Sequence, residues 1–302
     1  MSTPASKQSE RSRHSPCVGV CQLDTATGWC LGCGRTGNEI GRWLGMSETE
    51  RLALWDELPR RLDALAVKSR LLSWTAAEIA QWVRSTLVEG RGTWVTGVPG
   101  AVAEFPCGEG RAIDVALSDA TVEARAADAL FRLRIHDKMR AFAFAGDGPI
   151  VLGLPKVRSA LPVAKTFTAL GLDTDAIDAA QRGDELFDFG LGRESARFCV
   201  RTAKPDLVAA LRALEGQDWG AALQNSDAQI LAESPHRVVD SALARIEVHS
   251  PIPAPGAVSP SGAHTHFLPS YLASGDEAPA GLALPPYAQQ VAIFYPAAGK
   301  TT

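Results

Sequence analysis

The chain has 302 residues, of which 46% are apolar and 21% charged, and its formal net charge is −4. That length suggests about two domains of roughly 100–200 residues each. The near-neutral balance excludes a general pull toward nucleic acid or anionic lipid, and no apolar run approaches the ~20 residues that would span a bilayer. The expected partners are therefore a protein or a small molecule.

Met1 to Pro16 are polar and mildly basic, with Lys7, Arg11 and Arg13, and lack the apolar stretch of a secretory signal. Residues 1–14 read as a flexible tail. A cytoplasmic location is expected, where cysteines stay mostly reduced. Residues 17–34 are rich in Gly and Cys and too short to bury a core.

A helix is predicted near Asn38–Leu44. Another starts at Ser47, where Ser47-Glu48-Thr49-Glu50 forms a capping box and Leu52, Trp55, Leu58 and Leu62 recur at helical spacing. Pro59 is expected to kink or break it. A third helix opens at Thr75, with Glu78 completing its box and Ile79, Trp82 and Val83 forming the apolar stripe. The boundary between the two parts falls near residues 64–74.

Beyond Gly90 the pattern turns to strands. Trp94–Phe105 is strand-like, interrupted by Gly97, Pro99 and Gly100. Phe131, Leu133 and Ile135 alternate with Arg132, Arg134 and His136, as in a half-buried strand. Met139–Phe144 and Ile150–Leu154 read as strands, and Phe198 and Val200 alternate with Arg197 and Arg201. Helices are predicted over Pro205–Leu214 and Asp227–Glu233, and strands over Ala242–Val248 and Val291–Tyr295. This mixture lacks regular strand–helix alternation and gives the class as α+β. The organisation is a small helical metal-knuckle module with four cysteines at 15–66, then a mixed α+β domain at 75–302. That domain includes a long Pro/Gly-rich histidine loop at 250–288.

Four of the six cysteines follow Cys17-x3-Cys21-x8-Cys30-x2-Cys33. A two-residue spacer lets both thiolates of Cys30 and Cys33 point at one ion. Gly34 permits a tight turn whose N–H groups face the sulfurs. Four clustered thiolates need a cation, and Zn²⁺ or an iron–sulfur cluster each accepts four cysteines. The spacing matches neither ferredoxin run, so ligand arithmetic leaves both open. His14, Arg35 and Arg42 lie close enough in sequence to offset residual charge. Trp43 and Trp55 are expected to pack the helices over the knuckle.

The run Ser15-Pro16-Cys17-Val18-Gly19-Val20-Cys21, then Gly28-Trp29-Cys30-Leu31-Gly32-Cys33-Gly34-Arg35-Thr36, then Glu39-Ile40-Gly41-Arg42-Trp43, resembles a small bacterial family of unknown function (YdhL-like). Members of that family are described as predicted iron–sulfur proteins. The resemblance implies an iron–sulfur cluster on Cys17, Cys21, Cys30 and Cys33, with zinc as the alternative. It implies a redox or accessory role for the module.

His264 and His266 sit in the Pro-rich loop. In extended chain, residues two apart share a face, so both can converge on one metal or anionic ligand, with Asp240, Glu247 and His249 as the nearest further partners. These histidines are candidates for a second metal or ligand site, and for a metal-dependent enzyme as an alternative function. The pair resembles the His-x-His of cupins but departs from it at Ser270, where a glutamate would stand. The pieces Gly100–Phe105, Phe198–Thr202, Ser234–Val239 and the His264 segment resemble an uncharacterised bacterial domain, which implies a folded unit and names no reaction.

Gly190-Leu191-Gly192 is too short for a dinucleotide fingerprint. Cys199, mid-strand, reads as a structural thiol, and Cys107 as an exposed turn residue. Arg197, Arg201, Arg237 and Arg245 form an anion-binding face if their strands adjoin. Otherwise they are a solvated sheet face with surface ion pairs.

Overall fold

The structure is a computed structural model that describes residues 15–16, 23–24, 26–30, 32–65, 69–98, 101–108, 110–144, 149–158, 161–192, 195–252, 284 and 288–297. Helices come first. α1 (Gly37–Arg42) and α2 (Glu48–Ala64) are separated by a 3-10 turn at Trp43–Gly45, and α3 spans Ala76–Val88. Each helix opens on a complete capping box: Thr36 with Glu39, Ser47 with Glu50, and Thr75 with Glu78. These boxes satisfy N–H groups that have no partner inside the helix. Pro59 does not break α2, which runs on to Ala64. The burial of Leu54, Trp55, Leu58 and Leu62 holds the helix across the missing donor.

The strands form two antiparallel sheets. The six-stranded sheet has the order β1-β7-β8-β14-β2-β3, built from β1 (Ser69–Leu71), β7 (Arg140–Phe144), β8 (Ile150–Pro155), β14 (Ala288–Tyr295), β2 (Gly92–Val98) and β3 (Ala101–Cys107). The eight-stranded sheet has the order β4-β5-β6-β13-β12-β11-β10-β9. Its strands are β4 (Asp114–Ser118), β5 (Thr121–Arg125), β6 (Ala129–Arg134), β13 (Ala244–Val248), β12 (His236–Ser241), β11 (Ala196–Thr202), β10 (Glu185–Asp188) and β9 (Thr168–Leu172). Two further helices, α4 (Pro205–Arg212) and α5 (Trp219–Glu233), lie between β11 and β12 in the chain. The α+β expectation is met. Six of the strands, β1, β4, β5, β9, β10 and β12, lie outside the stretches predicted from sequence.

The sheets stack face to face over one core. Trp94, Ala103, Phe105, Leu152 and Phe294 come from the first sheet, and Val122, Phe131, Leu133, Phe198, Val200, Val239 and Ile246 from the second. α3 adds Ile79, Val83 and Leu87, while α4 and α5 add Leu207, Leu211, Leu223 and Ile230. Trp94 is the hinge of this packing. Its Nε1 donates to Thr86 Oγ1 of α3 at 2.9 Å, and its ring lies 5.4 Å from Phe131 and 5.2 Å from Phe294.

A second cluster covers the other face of the six-stranded sheet. There Trp43, Leu54, Trp55, Leu58 and Leu62 pack on Leu71, Val95, Val102, Phe142, Val151 and Ile293. The N-terminal helices therefore rest directly on the sheet. Residues 69–71, within the sequence-derived boundary, form β1 on its edge by pairing with β7. Among the described residues, no helix is long and apolar enough to cross a membrane.

Candidate functional site

The knuckle at Cys30–Arg35 is built by backbone. Isolated antiparallel bridges join Leu23 to Cys30 and Trp29 to Thr36. Gly34 N donates to Cys30 O at 2.7 Å, and Cys30 N to Arg35 O at 2.7 Å. Gly34 has φ +73°, and a Cβ there would come within 3.3 Å of Leu58 O. Turn and approach to α2 thus both select glycine. The N–H that faces sulfur belongs to Gly32, 3.4 Å from Cys30 Sγ, while that of Gly34 is taken by the carbonyl.

Both sulfurs are enclosed, with Cys30 and Cys33 each 1% exposed. A hydrogen bond with Cys30 and burial raise the Cys33 thiol above its ordinary value, and Arg35 works in the opposite direction. Arg35 Nε donates to Cys33 Sγ at 3.3 Å, and its guanidinium lies 5.0 Å from the centre of the Trp43 ring. Arg35 is only 2% exposed, and no carboxylate pairs with it among the described residues. Arg42 instead points outward toward Glu50 at 3.8 Å. Arg61 of α2 clamps the turn by donating to Glu39 Oε2 at 2.7 Å and to Gly34 O at 3.3 Å.

Cys17, Cys21 and His14 lie outside the described residues, as do His264 and His266. Among the described residues, no group of three or more His, Cys, Asp or Glu could hold a metal ion. The donor chemistry of the half that is described suits a metal-bound thiolate pair. It offers two adjacent buried sulfurs, an N–H and a guanidinium, each of which donates to sulfur.

A second concentration of charge covers the outer face of the eight-stranded sheet. Antiparallel register sets Arg197, Asp240, Arg245 and Arg132 in one row across β11, β12, β13 and β6, with Cys199, Val238 and Glu247 in the next row and Arg201 and His236 in the one beyond. The arginine strands do adjoin, as sequence alone left open. Yet the face is neither solvated nor free for anions, because acids neutralise it in place. Arg245 donates to Glu247 Oε1 at 2.6 Å and to both Asp240 oxygens at 3.2 Å, and also bonds Asp173. Arg201 reaches Asp173 at 2.9 Å and Glu247 at 2.8 Å. Arg197 holds Asp240 at 2.9 Å, and Arg132 holds Asp175 at 2.5 Å.

The cover over this face is the 173–183 segment. Ile177 N donates to Glu247 Oε1 at 2.9 Å. Burial works against ionising Glu247, but neighbouring His249 and the Arg245 and Arg201 guanidiniums outweigh it and hold the carboxyl well below the usual range. At the rim His236 stacks on His249 with 4.2 Å between ring centres. Burial, then His249 and Arg201, lower His236 to about 4. Asp240, Glu247 and His249, the sequence-derived partners for His264 and His266, thus belong to this network, and both carboxylates are engaged by arginines.

Residues 78–302 match a family described as a family of unknown function (DUF6925). This chain belongs to that family. Residues 15–62 match a second description, protein of unknown function (DUF1289). A small N-terminal module followed by an uncharacterised domain is what the sequence led us to expect. No curated protein and no solved structure matches the chain.

Within the DUF6925 part, the remaining sequence candidates resolve as structure. Cys107 is not exposed. It closes β3 in the core, its Sγ 3.6 Å from Phe105 O, and burial pushes its thiol up to about 12. Cys199 is fully buried, and burial, then Asp188, raise it well above its ordinary value, which disfavours the thiolate that a nucleophile needs. Gly190 has φ +70° and a Cβ there would overlap Thr166, so close backbone approach explains that glycine. Asp173, Asp175 and Gln181 of the DUF6925 cover escaped sequence reading. Asp173 and Asp175 sit in irregular chain, and Gln181, which accepts from Arg201, ends a 3-10 turn at Ala179–Gln181, so their partners are set only by how this segment folds over the sheet.

Proposed function

We propose that Cys17, Cys21, Cys30 and Cys33 hold one metal centre, an iron–sulfur cluster, in a module carried on the DUF6925 sandwich, and that the protein is a redox or accessory metalloprotein. One observation carries this reading: a buried Arg35 donates to Cys33 Sγ and has no carboxylate partner among the described residues. Beside two neutral thiols its charge would be uncompensated, which burial makes costly. Beside metal-bound thiolates it supplies a hydrogen bond that tunes the centre. When bound, such a cluster supplies one-electron transfer at a potential set by hydrogen bonds to sulfur and by solvent exposure. In this chain Gly32 N–H and Arg35 provide those bonds, Trp43 backs the guanidinium, and Arg61 fixes the turn against α2.

Anaerobic purification, followed by an absorption spectrum and counts of iron, sulfide and zinc, tests the reading. A coloured protein with iron and acid-labile sulfide is expected, and Cys33→Ser should lose both. Zinc without iron would replace the cluster with a closed structural zinc site. A colourless protein with neither metal would end the proposal.

A further inference from the structure

Alternation along β7 puts Arg140, Phe142 and Phe144 on one face of the strand and Ala141 on the other. Ala141 belongs to the core between the two sheets, whereas Phe142 and Phe144 pack with Trp43, Trp55, Leu58 and Leu62 of the N-terminal part. Arg140 therefore faces the cysteine module from the sheet. It is 2% exposed. Its Nη1 donates to Asp137 O at 2.9 Å and to Met139 O at 2.7 Å, which locks the guanidinium against the entry of its own strand. Its Nη2 donates to Ser15 O at 2.8 Å, across 125 residues of chain. A hydrogen bond from a charged donor is stronger than a neutral one. The next residue, Pro16, is buried, and Cys17 follows it directly in the sequence.

The other end of the cysteine set has a matching fastening. Arg61 donates to the carbonyl of Gly34, the residue after Cys33, at 3.3 Å. Arg61 belongs to α2, whose Leu54, Trp55, Leu58 and Leu62 rest on the same face of the six-stranded sheet. One arginine-to-carbonyl bond thus stands just before the first cysteine and another just after the last. Both lead back to that sheet, Arg140 directly and Arg61 through α2.

We propose that Arg140 is a positioning residue for the metal centre, tying the Cys17 end of the ligand set to the sheet that also carries Cys30 and Cys33. The proposal rests on the reading of the four cysteines as one centre, and it makes the DUF6925 domain part of that centre's scaffold. Two residues of chain span at most about 7 Å, so an anchor at Ser15 limits the range open to the Cys17 thiolate. The fixed φ of Pro16 narrows that range further. A ligand tethered in this way meets the metal at a higher effective concentration than one on a free tail. A thiolate that lets go is held near and rebinds, so the rate of metal loss reports the anchor.

The full-length protein, purified anaerobically, is incubated with excess EDTA, and the iron and zinc still bound are counted over time. Arg140→Leu removes the anchor, and Pro16→Gly slackens the link between Ser15 and Cys17. Each should speed metal loss, Arg140→Leu by about tenfold, the factor one charge-assisted hydrogen bond supports. The double variant should lose metal no faster than Arg140→Leu alone, because a slack link no longer matters once its anchor is gone. If Pro16→Gly instead speeds loss by the same factor in both backgrounds, Arg140 is only a structural residue at the entry to β7 and the proposal is overturned. Loss at the parental rate in Arg140→Leu overturns it equally. Should Arg140→Leu fail to fold, Pro16→Gly decides: faster loss supports the anchor and parental loss overturns it. A parent that holds metal while the variants keep its rate defeats this inference alone, whereas a parent with neither iron nor zinc defeats the cysteine reading as well.

Discussion

The two faces of the eight-stranded sheet solve opposite problems with the same strands. Inward, β6, β11 and β13 present Phe131, Leu133, Phe198, Val200 and Ile246 to a facing sheet, where burial of apolar area stabilises. Outward, the alternate residues are Arg132, Arg197, Arg201, Arg245 and Glu247, enclosed by the 173–183 cover. Charges there are tolerated because each of these arginines meets an acid, Asp240 in register for Arg197 and Arg245 and the cover's Asp173 and Asp175 for Arg201 and Arg132. Alternation of apolar and charged residues is usually read as one dry and one wet face. Here it means two dry faces, one packed by hydrocarbon and the other by ion pairs.

The comparison can be broken most sharply at Glu247, whose carboxylate serves Arg245, Arg201 and the Ile177 N–H. Glu247→Ala should cost about 3–5 kcal/mol in urea unfolding, because it leaves two guanidiniums under-compensated in a buried place. An unchanged midpoint would make the outer face a wet one after all. The next effect is a pH dependence. His236 is lowered to about 4 from 6.5, so the unfolded chain binds its proton first. Stability should therefore decline as pH falls from about 6.5 toward 4. Glu247, with its folded value also depressed, contributes stability that is present above 4.5 and lost below it. Unfolding midpoints between pH 7 and 4 should fall monotonically, with a shallower slope in His236→Phe. The smallest effect sharpens the contrast within one strand. Arg134 and Asp175 are 47% and 53% exposed, so Arg134→Ala should cost only about 0–1 kcal/mol by the same assay.

Local signals carried the helices and the cysteine knuckle. Ser47-x-x-Glu50 and Thr75-x-x-Glu78 are complete in four residues each, and both boxes form. Gly34 announces its turn through its own need for positive φ. The ion-pair face was not legible in the same way. Arg132 and Arg197 look like solvent-facing alternation until the fold sets Arg132 beside Asp175 of the cover and strand pairing sets Arg197 beside Asp240, 43 residues away in each case. Nor did periodicity find β4, β9 or β10. β4 and β9 are edge strands with much exposed surface, and β10 has only four residues. Of the kink or break expected at Pro59, the break did not occur, because propensity is a weak term beside four buried side chains of α2.

The position of β14 has a consequence for how the protein comes into being. This late segment of the chain fills the middle of the six-stranded sheet, pairing with β8 on one side and β2 on the other. During synthesis the cysteines and their helices emerge well before Ala288 and Ile293 of the surface they rest on. Until then β8 and β2 expose unpaired edges of the kind that invite association with other nascent chains. The order of translation thus sets a waiting period in which the N-terminal module lacks a finished platform.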